Sequence, residues 1–126
     1  MATVELTQDN FEETVLNNNL VIIDFWAPWC EPCKSFAPTY EAVSEKFPDV
    51  VFAKVNTEVE QELAGSFQIR SIPTLMVFRE QIIIFSESGA LPPPALEQIV
   101  TQAQTLDMDK VRAEIAAEEA NNGGAA

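Results

Sequence analysis

The sequence predicts an α/β fold: a central mixed β-sheet, helices on both of its faces, and an extra helix at the C-terminal end. Three observations carry this. Short apolar, β-branched runs alternate with amphipathic stretches through the first half of the chain. Two strand-like runs then follow one another directly before a further helical pattern. The chain has 126 residues and 47% apolar content, enough for one domain whose core needs no disulfide framework.

The first candidate strand is "ATVEL". "TQDNFEETVLNN" follows as a helix, with Asp9 as N-cap and Phe11, Val15 and Leu16 on its inner face. "LVIIDFW" is apolar almost throughout, the pattern of a strand covered on both faces. "PCKSFAPTYEAVSEKF" forms a helix with Phe36, Tyr40, Val43 and Phe47 on one side, and Pro38 inside it predicts a kink. "VVFAKVN" is a second buried strand and "EVEQELAGSF" a short acidic helix.

"TLMVF" and "IIIFSE" pair as an antiparallel hairpin around Arg79 to Gln81, where no Asn-Gly or Asp-Gly fixes a turn type. "PPPALEQIVTQAQTL" closes the plan as a helix with Leu96, Ile99, Val100 and Ala103 on its buried stripe. Alternating strands and helices demand right-handed crossovers and a sheet that is parallel at first. Residues 1–106 thus form the domain. Residues 107–120 add a helix capped by Asp107, with Met108, Val111 and Ile115 spaced along one side, and 121–126 read as a disordered tail.

Composition excludes several functions. The formal charge is −13, from 7 basic and 20 acidic residues, so phosphate backbones and anionic membranes are repelled. The absence of histidine removes Cys-His hydrolysis and the common zinc sites. No run approaches a membrane span, and "MATVELTQDNF" lacks the features of a secretory signal. These point to a cytoplasmic protein, where a close cysteine pair is catalytic rather than structural.

Both cysteines lie in "FWAPWCEPCKSFAP", at the junction of a strand and a helix. With Pro32 opening the helix, Cys30 falls near its N-cap and Cys33 about one turn in. Unpaired amides and the positive helix end favour a thiolate at Cys30, expected open to solvent with Cys33 shielded behind it. The thiolate is the nucleophile of thiol–disulfide exchange. A bare C-x-x-C also fits half of a metal site, but its other half is missing here. Alternation in "LVIIDFW" sets Asp24 beside Ile22 and Trp26, where desolvation raises its pKa. Two readings stand for it: a relay for the Cys33 proton, or a structural polar group bonded to backbone.

"WAPWCEPCK", together with "RSIPT" downstream, resembles the thioredoxin family over residues 3 to 105. The resemblance implies the thioredoxin fold and a protein-disulfide reductase. It implies Cys30 as the attacking thiol and Cys33 as the resolving one, with Asp24 as the family's buried acid and Lys54 as the lysine near it. Trp29, Glu31 and Pro32 fall in the family's active-site turn. Ile72-Pro73 matches a cis-proline loop, whose exposed Ile72 backbone pairs with an extended substrate by strand addition. Gly89-Ala90 matches a loop lining the substrate groove.

No bound cofactor is implied. The resemblance implies that the redox-active disulfide is recharged by an NADPH-dependent flavoprotein reductase, that the other partners are oxidised proteins, and that the protein is a monomer. Three departures stand out: Glu31 replaces the glycine usual before the proline, Ser88 replaces an apolar groove residue, and Gln81 replaces a hairpin glycine. A thioredoxin-like binding or chaperone module, with redox turnover secondary, is the alternative reading.

Overall fold

The computed structural model, which describes residues 3–124, sets the apolar run "LVIIDFW" in the middle of a five-stranded sheet. In chain order the elements are β1 (Thr3–Glu5), α1 (Phe11–Asn17), β2 (Leu20–Trp26), α2 (Glu31–Lys46), β3 (Val51–Asn56), α3 (Gln61–Ser66), β4 (Thr74–Arg79), β5 (Ile82–Ser88), α4 (Pro93–Thr105) and α5 (Met108–Gly124). The strands lie in the order β1-β3-β2-β4-β5. The first three are parallel, and β4 and β5 run antiparallel to their neighbours, the mixed sheet the element order requires.

Alternation along β2 divides the core. Leu20 and Ile22 join Phe36, Tyr40 and Val43 of α2 and Leu96, Val100 and Ala103 of α4 on one face. Val21, Ile23 and Phe25 join Val15 of α1 and Leu63 of α3 on the other. Six consecutive residues of β2 are buried because both faces are covered. Tyr40 anchors α2 to the sheet: its buried hydroxyl lies 3.0 and 2.7 Å from the Ile22 and Ala53 carbonyls, to which it donates.

Several local expectations are corrected. The residue before α1 is Asn10, not Asp9, and its side chain turns away from the helix. Asn10 Oδ1 accepts from the Thr7 amide and Nδ2 donates to the Glu5 carbonyl, tying the β1–α1 connection together. Leu16 is exposed, because a seven-residue helix with Val15 against the sheet turns the next position outward. Helix α5 continues past residue 120 to Gly124, while residues 125 and 126 lie outside the described residues. Asp107 does cap α5, its carboxylate accepting from the Lys110 amide at 3.1 Å.

The last helix packs where β5 ends the sheet. Met108 is buried, and Val111 and Ile115 line a groove with Ile82, Ile83 and Ile84. Arg79 donates to the carbonyls of Ala103, Gln104 and Leu106, which α4 leaves unpaired at its C-terminal end. Arg112 of α5 pairs with Glu80 at the β4–β5 turn.

Candidate active site

Strand β2 ends at Trp26, and four residues later Cys30 stands as the N-cap of α2, with extended backbone at φ −88° and ψ 111°. Pro32 lacks an amide donor, which costs nothing in a first helical turn. The Cys33 amide, which the helix leaves free, donates to the Cys30 sulfur at 3.2 Å. That sulfur therefore takes the place of a capping oxygen. A hydrogen-bond donor and the positive end of a 16-residue helix both favour negative charge on it. Cys30 and Cys33 are joined by a disulfide, their Cα atoms 5.2 Å apart.

The expectation that Cys30 lies open to solvent is corrected. It is 4% exposed, against 2% for Cys33. The cover comes from Ile72, whose carbonyl oxygen sits 3.7 Å from the Cys30 sulfur, and from the disulfide partner itself. What does reach solvent is the rim: Trp29 is 64% exposed, and Glu31 and Pro32 are exposed as well. Glu31 lies 3.4 Å from Lys34 on the first turn of α2.

The Ile72–Pro73 bond is cis. The Gly89 amide donates to the Pro73 carbonyl at 2.8 Å, which brings the exposed Gly89-Ala90 loop beside it. Gly89 has φ 109°, a conformation that suits glycine alone. Residues 29–33, 72–73 and 89–90, distant in sequence, are linked by these contacts.

Asp24 lies on the α2 face of the sheet and is fully buried. Neither carboxylate oxygen has a hydrogen-bond partner among the described residues. The backbone-bonded reading of this residue is thereby set aside. Burial pushes its pKa to about 7, with Lys54, its register partner on β3, pulling the other way.

Lys54 does not form an ion pair with Asp24. Its ammonium sits 4.7 Å from the centroid of the Trp26 ring, which is half-buried beside the cysteines. Trp26 is thus more than the plain core residue that its strand position suggests. Its link to Lys54 depends on the register of β2 against β3, which strand patterns alone do not fix. Thr57 has no signal in the sequence either: its amide and hydroxyl both donate to the Trp26 carbonyl, bracing the end of β2 that leads to Cys30. Among the described residues no three His, Cys, Asp or Glu side chains gather as metal ligands, and no helix is long and apolar enough to cross a membrane.

Comparison with known proteins agrees with this geometry. The sequence model of the thioredoxin family matches residues 2–102. The putative thioredoxin 2 of Streptomyces coelicolor is 54% identical over 122 residues, covering 97% of this chain and 91% of that one. Thioredoxin C-3 of Corynebacterium nephridii is 42% identical over 100 residues, 79% of this chain and 69% of its own length. A mutant thioredoxin from Halobacterium salinarum superposes with a TM-score of 0.77 at 26% identity, covering 83% of this chain and 93% of that one. Spinach chloroplast thioredoxin f, in its short form, gives 0.76 at 29% identity, covering 82% and 95%.

Proposed function

Because this chain belongs to the thioredoxin family, we propose that its reduced form attacks disulfides of oxidised proteins through Cys30 and releases the product through Cys33. The chain is a thiol–disulfide oxidoreductase of the Cys-Glu-Pro-Cys type. The observation that carries the proposal is the Cys30–Cys33 disulfide at the mouth of α2, with the Cys33 amide directed at the Cys30 sulfur.

In the first step the Cys30 thiolate bonds to one substrate sulfur. The substrate S–S bond breaks, and the leaving thiolate takes a proton from solvent. In the second step Cys33 loses its proton and bonds to Cys30, expelling the other substrate thiolate. Two electrons pass from the dithiol to the substrate, and the Cys30–Cys33 disulfide remains. Asp24, with a pKa of about 7, is the group suited to accept the Cys33 proton, because it holds either protonation state near neutrality. Lys54 keeps that pKa from rising further by its charge.

Trp29, Glu31 and Pro32 form one wall of the substrate surface, and Ile72, Pro73, Gly89 and Ala90 the other. The Ile72 backbone pairs with an extended substrate segment. A flavoprotein reductase carrying electrons from NADPH restores the dithiol, and the protein works as a cytoplasmic monomer.

The test couples reduction of a protein disulfide to NADPH consumption through a thioredoxin reductase. Wild type turns over, and Cys30→Ser falls to the uncatalysed background. A Cys30→Ser rate within a few-fold of wild type contradicts the proposal.

A further inference from the structure

Next to Ile72 the margin of the sheet opens into a mostly polar cleft of about 300 Å³, where Gln68, Arg70, Ser71, Thr74, Ser86 and Ser88 stand beside the apolar Phe67 and Ile69. Register explains its polarity. Thr74 pairs with Ser88 and Met76 with Ser86, so both serines share the sheet face that carries Met76. The apolar cluster on that face includes Met76 and Phe78 of β4 and no residue of β5. Serines therefore stand where a covering helix would demand apolar side chains. Glu87 also lines the cleft; it pairs with Leu75, so strand alternation directs its side chain toward the opposite face from Ser86 and Ser88.

Arg70 is the cationic residue of the cleft lining, and it is exposed. Lys34, Lys46, Arg79 and Arg112 all hold carboxylate partners, and Lys54 lies over Trp26. Among the described residues, Arg70 and Lys110 alone leave their charged ends without an ion pair or ring, and Arg70 lines this cleft. The hydroxyls of Ser71, Ser86 and Ser88 make no hydrogen bond among the described residues either. Thr74 donates to the Ser71 carbonyl at 2.5 Å, holding the loop that presents Arg70 and Ser71. Ser71 precedes Ile72, whose carbonyl lies 3.7 Å from the Cys30 sulfur.

We propose that this cleft takes the carboxylate of an aspartate or glutamate that flanks the attacked cysteine of a protein substrate. A guanidinium with free hydroxyls around it is the chemistry that recognises a carboxylate. An extended segment advances roughly 3.3 Å per residue, so an acid about two residues from the cysteine reaches past Ile72 into the cleft. The inference rests on the exchange chemistry proposed above and names the substrates it favours. It runs against the −13 charge of the chain, which disfavours acidic partners elsewhere on the surface.

The test uses disulfide-bonded peptides in pairs, identical except for Glu or Gln two positions before or two positions after the cysteine. At one of these positions wild type reduces the Glu peptide with a kcat/KM about 3-fold above that of its Gln partner, through KM, and added salt shrinks the difference. Arg70→Gln brings the ratio close to one, and Arg70→Lys keeps part of it. Equal kcat/KM for Glu and Gln at both positions in wild type, or a preference that survives Arg70→Gln, overturns the proposal while leaving the exchange chemistry standing. No turnover of any peptide refutes that chemistry and this proposal with it.

Discussion

At Asp24 a carboxyl group without a hydrogen-bond partner among the described residues is sealed between β2 and α2, and this gives the fold a definite pH dependence. Its pKa is about 7, against 3.8 for a free side chain. Below the free value, both the folded and unfolded chains hold the proton, and Asp24 does not bias stability. Between the two values the unfolded chain ionises while the fold keeps its proton, so stability falls as pH rises. Above the folded value the full penalty is present, on the order of 4 kcal/mol. Asp24→Asn removes this slope. Thermal unfolding of the oxidised protein will show wild type losing Tm relative to the variant between pH 5 and pH 8; parallel curves would refute the assignment.

Glu31 sits on the first turn of α2, beside Cys30 and 3.4 Å from Lys34. It competes with the Cys30 thiolate for the positive end of the helix. An exposed charge of this kind is worth roughly 0.2–1 kcal/mol, at most about 20 mV for a two-electron couple. The potentials of C-x-x-C proteins span roughly 150 mV, so Glu31 adjusts the poise without changing the role. Replacing Glu31 with Gly raises the reduction potential by no more than about 20 mV when equilibrated against glutathione. A lower potential in the variant would count against this account.

Among the elements, the β4–β5 hairpin carries a local conflict. Glu80 and Gln81 both adopt positive φ, 52° and 66°. A two-residue turn of this handedness matches the twist of the flanking strands, and glycine or asparagine usually supplies it. Glu80 is held by Arg79 and Arg112, but the side chain of Gln81 is exposed and makes no hydrogen bond among the described residues. Gln81→Gly relieves its left-handed conformation and adds about 1 kcal/mol, or about 4 °C in Tm. Calorimetry that finds an unchanged or lower Tm would contradict this.

The hairpin is legible as two adjacent apolar runs, but its turn is not, because Glu-Gln carries no signal for positive φ. The α1 start shows the same limit. Asp9 and Asn10 are both good capping residues, and only the contacts of Asn10 with Thr7 and Glu5 decide which position ends the turn.

For the molecule as a whole, sequence order is enough to predict the mixed sheet, since parallel crossovers and a terminal hairpin leave few topologies. The part of the site written in one stretch, Trp29 to Cys33, is legible for the same reason: strand, turn and helix N-cap follow one another. What the sequence withholds is assembled across the sheet. Cys30 is covered because Ile72, 42 residues away, closes over it. Lys54 meets Trp26 through strand register. Arg70 shares a cleft with Ser86 and Ser88 because a loop and an edge strand border it together.

Division of labour between the two sulfurs is the claim on which the mechanism depends, and trapping tests it directly. Cys33→Ser and Cys30→Ser proteins are each reduced, mixed with an oxidised protein substrate, and analysed by mass spectrometry without reductant. Cys33→Ser will accumulate a mixed disulfide at Cys30 while Cys30→Ser accumulates almost none. Equal trapping by the two variants, or trapping confined to Cys30→Ser, would contradict it.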